Sequence, residues 1–446
     1  MKKDLTNGSL AGAIVSFSLP YLLSYFLQTL YGMADLFIAG QFNGANVISA
    51  VGIGSQVMGF MTAVIVGLAM GTTILISRAV GANDNKSVSR FAGNTVTFFC
   101  GMSIAFMLLF LLLCPCIVSI MAVPQEAVRE TKIYLTVCFS GIPFITAYNV
   151  IAAVFRSTGD SKSPLYFIAA ACCANIIADY VFCGIFGLGA GGVALSTVIS
   201  QGLSVFISLI AARKLKIISI KKADLKPRKA ILLSLLRIGV PVACQDGFIQ
   251  VSFLLITVIA NKRGVEVSAA VSIVEKIMSF LFLIPSAMNS TVATVASQNI
   301  GAKKFKRAKK TLLYALGMSV SLSAILCALF EFFAVDFISL FTREEKVVAL
   351  GVQYLRSYLF DVVLGSVQFS FSGYFCACGK SFLSFAHNVA SVLLVRVPGA
   401  YVATKLWSET LFPMGLAAPA GSLLSSILCL IFFAALEKKS ESDFKI

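Results

Sequence analysis

Charged residues are scarce in this 446-residue chain: Asp, Glu, Lys and Arg together make up 13% of it, against 58% apolar residues. With a mean hydropathy of +0.91, an ordinary soluble domain is excluded. Histidine occurs once, at His387, and the twelve cysteines lie mostly in apolar segments, as at Cys172 and Cys173. Such cysteines pack as small hydrophobes. Cys376 and Cys378, one residue apart with no histidine cluster beside them, make no zinc site, so neither disulfides nor a metal cluster is expected. No nucleophile–base arrangement and no soluble domain is present to hold an enzyme. GYFCACGKS superficially resembles a phosphate loop, but five residues separate Gly373 from Gly379, where the motif needs four and a preceding strand.

What the chain does have is long apolar runs, each near or above the roughly 20 residues that cross a bilayer as helix. Twelve are readable, at about 14–39, 46–77, 92–121, 131–154, 164–186, 192–212, 235–260, 268–297, 311–340, 352–378, 382–405 and 411–436. They do not alternate polar with apolar, which argues against a β-barrel. The first run is long and lacks a small-residue cleavage site, so it reads as a first span rather than a signal peptide. The expected fold is an all-α integral membrane protein of twelve transmembrane helices.

The formal charge of +16 does not indicate nucleic acid, because of where the charge lies. With the N-terminus inside, 25 of the 36 basic residues fall in inner loops and tails, eight of them between Arg213 and Lys229, and seven fall in outer loops. The positive-inside rule then places both termini in the cytoplasm of a cell-membrane protein. The basic stretch itself suits a solvated inner loop near anionic lipid.

The chain also repeats itself at an offset of about 220 residues. Ser77, Gly81, Ala82 and Lys86 recur as Ser297, Gly301, Ala302 and Lys306, while Met58, Phe60, Phe155, Gly159 and Ser161 recur as Met278, Phe280, Phe375, Gly379 and Ser381. Pro20 is echoed by Pro241, one residue further on. Six spans per copy is an even number, so both copies face the same way: a parallel repeat, with a substrate cavity expected between the lobes. The expected organisation is an N-terminal lobe at 1–212 (spans 1–6), a cytoplasmic linker at 213–234 and a C-terminal lobe at 235–446 (spans 7–12).

In a duplicated scaffold, polar groups present in one copy alone point to function. Asp35 sits in the otherwise uncharged run Ile14 to Gly40 and maps onto Ile256, and Asp179 maps onto Gly399 or Pro398. A carboxylate in such a span costs roughly 2.5 to 3.5 kcal/mol on insertion scales. Asn175 and Asp179, four apart, share a helix face. At about 1.5 Å per residue, Asp35, Asp179, Thr197 and Tyr134 lie in the outer half of the first lobe, with Asn175 deeper, and are expected to converge. Two carboxylates in low dielectric do not both remain ionised alone. A proton or a hard cation such as sodium, which prefers carboxylate, amide and hydroxyl oxygens, would neutralise them.

Several segments resemble the multidrug and toxic compound extrusion (MATE) family: PYLLSYFLQTLYGMADLFIAG in the first span, SRAVGAND with its echo SQNIGAKK, FRSTGDSKSP after the fourth span, and NIIADYVF. The resemblance covers nearly the whole chain and implies two six-helix bundles and cation-coupled efflux of organic, often cationic, compounds. It makes Asp35, Asn175, Asp179 and Thr197, with Tyr134 a further member, the coupling site for H+ or Na+. It also makes Pro20 the first-helix hinge, where the ring removes a backbone hydrogen bond.

In the second lobe Asp246, Gln250 and Glu275 are candidates for the substrate cavity, with Asp246 alternatively pairing with Lys276. Asp361 is a further acid, Arg396 is expected to pair with an acid, and His387 is expected to be packed rather than a proton relay. The implied function is secondary antiport, with no cofactor beyond the coupling ion, a small organic molecule and membrane lipid as partners, and no obligate protein partner. A lipid-linked oligosaccharide flippase of the same superfamily is the nearest rival, and an ion channel or passive pore is a second.

Overall fold

The computed structural model describes residues 4–215 and 218–443, with side chains as far as Lys438. Lys2, Lys3, Lys216 and Lys445 of the basic series, and the side chain of Lys439, fall outside the described residues. Within the described residues the regular structure is helical throughout and contains no strand. Eleven helical spans are long and apolar enough to cross a membrane, and a bent pair completes a twelfth.

The chain forms two compact units that divide after Ala243. The first holds α1 (Leu10–Phe42) from Val15 onward, α2 (Ala45–Gly81), α3 (Asn85–Ile120), α4 (Val128–Ser140), α5 (Ile142–Ser157), α6 (Lys162–Asp179) and α7 (Gly189–Lys214). The division falls inside α8 (Lys229–Asn261). The second unit continues through α9 (Val265–Leu281), α10 (Leu283–Gly301), α11 (Phe305–Phe332), α12 (Ala334–Ser339), α13 (Glu345–Tyr358), α14 (Phe360–Ala377), α15 (Ser381–Ser391), α16 (Val397–Leu406) and α17 (Phe412–Asp443).

The fourth apolar run is not one straight helix. It is bent by 47° between α4 and α5, because Pro143 brings no N–H to continue the ladder. Gly141 occupies the break, where any Cβ would run into the methyls of Val198. Each unit has its own apolar core, around Val51, Leu135, Phe139 and Val193 in the first and Val271, Val274, Leu355 and Val362 in the second. Outward faces stay apolar as well: Leu112 is 77% exposed and Ile120 80%. In water such surfaces would aggregate; they suit hydrocarbon.

Polar groups fix two of the turns between helices. Asp84 caps α3, accepting from the backbone N–H of Ser87 at 3.0 Å and from its hydroxyl. Those bonds hold the Asp84 carboxyl below the usual carboxylate range. The basic linker is tied down rather than loose. Its short helical turn, Lys222–Leu225, lies on α3, where buried Asn94 donates to the Asp224 carbonyl at 3.0 Å and accepts from Arg228 N–H at 2.7 Å. Thr97 donates to the Leu225 carbonyl at 2.7 Å. Gly93 permits this approach, since a Cβ there would overlap the Asp224 backbone.

Candidate cation-coupling site

Three helices of the first unit deliver the polar groups. α1 brings Asp35, α6 brings Asn175 and Asp179 from one face, and α7 brings Ser196 and Thr197. Asp35 is 3% exposed, Asn175 1%, and Asp179 and Ser196 not at all. The α6–α7 connection is short because Gly187 and Gly189 take positive φ, 62° and 57°, a backbone region that glycine enters without a Cβ penalty. The start of α7 is held by Glu130, which accepts from Ala190 N–H at 3.3 Å.

Between α6 and that turn, Tyr180–Ile185 winds as a π-helical turn, with Phe186 N–H donating to the Val181 carbonyl at 3.0 Å. Asp179 is the last residue before this widening. Such turns are rare and occur mostly at functional sites.

The carboxyl groups of Asp35 and Asp179 are close enough to interact electrostatically, with the Asn175 amide beside Asp35. Thr197 donates to Asp35 Oδ2 at 3.3 Å. Ser196 donates to Asp179 Oδ1 and accepts from Asn175 Nδ2 at 3.3 Å. Among the described residues no ion pair reaches either acid, and Asp35 Oδ1, Asp179 Oδ2 and Asn175 Oδ1 are buried without a hydrogen-bond partner. Orphaned buried oxygens are uncommon and call for an explanation. Two carboxylate oxygens and one amide oxygen are hard ligands fit for sodium, and the neighbouring carboxyl groups equally suit a shared proton.

Four of the five residues expected to converge do so: Asp35, Asn175, Asp179 and Thr197. Tyr134 stands apart from the acids' hydrogen bonds. It is 3% exposed, and its hydroxyl pairs with Ser55 at 3.2 Å. Gly54 gives its ring room, since a Cβ there would strike it. Pro20 lies inside α1, and Ser24 donates to its carbonyl at 2.8 Å.

Ser196 was not legible in advance, because it sits beside Thr197, whose spacing gave no reason to prefer one hydroxyl over its neighbour. Nor was the pair Gln201 and Tyr31, joined at 3.4 Å one helical turn before Asp35.

In the second unit Asp246 and Gln250 are half-buried on α8, and Asp246 makes no ion pair with Lys276. Glu275 accepts from Thr257 at 3.3 Å. Arg396 does pair with an acid, Asp361, at 3.7 Å. His387 is fully buried and bridges Ser372 at 3.1 Å and Ser425 at 2.6 Å, a packed role joining α14, α15 and α17.

The sequence model of the MatE family matches this chain twice, over residues 20–181 and 241–402. The chain belongs to the MatE family. Both ends of the two matches stand 221 residues apart, which places Asp179 opposite Ala400, one residue beyond Gly399, and keeps Asp35 opposite Ile256. Both counterparts are buried and apolar, so the first copy alone carries these acids.

Among relatives, the chain is 28% identical over 434 residues to the probable multidrug resistance protein YpnP of Bacillus subtilis, covering 96% of each. It is 24% identical over 376 residues to the multidrug export protein MepA of Staphylococcus aureus, covering 82% of each. The fold is that of a crystallised MATE in the straight conformation, with a TM-score of 0.90 at 23% identity over 97% of this chain and 98% of that one. The protein is accordingly a multi-pass membrane transporter of MATE fold.

Proposed function

We propose that the protein is a secondary antiporter that exports organic compounds from the cell in exchange for a proton or a sodium ion taken up at Asp35 and Asp179. One observation carries the reading: two neighbouring buried carboxyl groups in the first unit, without a fixed counter-charge, each keep one oxygen without a partner, and so does the Asn175 amide beside them. The positive charge that this arrangement needs must come from solution. The multidrug names of YpnP and MepA support an organic, drug-like cargo, and the excess of Lys and Arg in alternate loops supports cytoplasmic termini.

Cation entry acts on transport only through different affinity for the two access states. Asp35 rides on α1, whose Pro20, fifteen residues earlier, lacks a backbone donor, so neutralising the pair acts on a helix that has a ready point of bending. A membrane potential supplies about 2.3 kcal/mol per charge per 100 mV, enough for roughly 50-fold accumulation per coupled charge.

The test is efflux of an organic dye from proteoliposomes with sodium and proton gradients imposed separately, and with Asp35→Asn as the control. Dye should move with one gradient and stall in the variant. If neither gradient moves dye, or lipid-linked sugar is translocated in its place, the reading is wrong.

A further inference from the structure

The second unit also buries acids, but it surrounds them differently. Asp361 is fully buried at the start of α14, and the Arg396 guanidinium stands 3.7 Å from its Oδ2. Arg396, 6% exposed, donates to the Tyr358 hydroxyl at 2.6 Å and lies over the Phe253 ring at 4.8 Å. Glu275 is within electrostatic reach of the same guanidinium. Asp361 therefore has a built-in cation, whereas among the described residues the acids of the first unit have none.

The repeat shows how that cation arrives. Ser161 and Ser381 stand 220 residues apart, whereas the Tyr–Val pairs at Tyr180 and Tyr401 stand 221 apart. The second copy thus holds one extra residue in this helix. A π-helical turn spans Val392–Arg396, and one added residue per turn is what such a turn accommodates. Counted back from Tyr401, Arg396 occupies the place that Asn175 has in the first copy. The position that offers an unpartnered amide oxygen in one unit offers a guanidinium in the other.

We infer that Arg396 is a tethered counter-ion, filling in the second unit the role that the coupling cation fills in the first. The inference rests on the proposed cation uptake at Asp35 and Asp179. Its consequence is that the second unit takes no ion from solution, and that removing the guanidinium creates a second cation site at Asp361.

The experiment compares purified full-length variants for cation binding, read as radioactive sodium retained and, separately, as protons taken up from weakly buffered solution containing an indicator dye. Arg396→Gln should bind one more cation than the unaltered protein, and the extra cation should persist when Asp35→Asn is added. Arg396→Lys should bind no extra cation. An Arg396→Gln protein that is folded by thermal melting but gains no cation overturns the inference.

Removing one partner of a buried pair is strongly destabilising, so Arg396→Gln combined with Asp361→Asn is the second arm. That protein should bind as many cations as the unaltered one, and losing one would show that Asp361 had been a solution-cation site all along. If Asp35→Asn changes no binding while Arg396→Gln still adds a cation, the first-unit reading fails and the role of Arg396 stands.

Discussion

Ser196 places its hydroxyl between Asn175 and Asp179, donating to the carboxylate and accepting from the amide. This hydroxyl, rather than that of Thr197, orients the Asp179 side of the acid pair, while Thr197 serves Asp35. Ser196→Ala leaves the Asp179 carboxylate without its donor and the Asn175 amide without its acceptor. Side-chain hydrogen bonds between membrane helices are worth about 0.6 to 1.7 kcal/mol. Thermal unfolding in detergent should register a loss of that order, and gradient-driven dye efflux should slow. Ser196→Thr, which keeps the hydroxyl, should recover most of both. A Ser196→Ala protein with unaltered melting and efflux would remove Ser196 from the site.

Asp35 and Asp179 are neighbours that hold one charge problem between them, so their substitutions should not add. Asp35→Asn and Asp179→Asn are each expected to cut gradient-driven efflux by about tenfold or more, which is about 1.4 kcal/mol. The double variant should be no worse than the more severe single, as for other groups that act as a unit. Two independent effects that multiply in the double variant would show that the acids work separately.

Much of the architecture could be read from the residues. Twelve apolar runs, their parity and the echo of SRAVGAND in SQNIGAKK specify two like-oriented six-helix copies, because the bilayer leaves helices few alternatives. Asp35, Asn175, Asp179 and Thr197 were legible for the same reason: a polar group in hydrocarbon is costly enough to need a purpose. The bend at Gly141 was hidden inside an apolar run, although Pro143 signalled it. The π-helical turns were out of reach, since each is the difference of one residue in backbone hydrogen bonding. That difference also blurred the register of the repeat between 220 and 221, and with it the correspondence of Arg396 to Asn175. Ser196 was missed because α7 carries hydroxyls at Ser196, Thr197 and Ser200, and only the packing of α6 on α7 selects among them.

The linker makes an independent prediction. Asn94 satisfies the Asp224 carbonyl and the Arg228 N–H together, and leaving such buried groups unpaired costs about 1 to 3 kcal/mol. Asn94→Ala should therefore release the turn at Lys222–Leu225 and let the backbone after Lys221 and Lys222 enter trypsin's active site, with cleavage faster by about fivefold or more, the equivalent of about 1 kcal/mol. Gly93→Ala should act in the same direction, because its methyl would collide with the Asp224 backbone. Limited proteolysis followed by mass spectrometry reads both. Unchanged cleavage rates would mean that the linker is held by something other than these contacts.

Pro20 lies within the continuous helix α1, fifteen residues before Asp35 on the same chain segment. The ring supplies no N–H to the preceding turn and crowds the carbonyl four residues back, a burden of about 3 kcal/mol in a helix interior. Ser24 offsets part of it by donating to the Pro20 carbonyl, which tethers the turn without closing the ladder. Alanine at position 20 supplies the missing donor, so α1 should stiffen. Pro20→Ala is therefore expected to melt at a higher temperature than the unaltered protein while exporting dye more slowly under the same gradient. Cation binding at Asp35 and Asp179, measured without a gradient, should remain. The three readouts separate the possible roles of the proline: a stabilised protein with full efflux would make Pro20 a tolerated irregularity, and lost cation binding would make it part of the site's scaffold. Only stability gained, binding kept and efflux lost together assign it to the movement that links the acid pair to export.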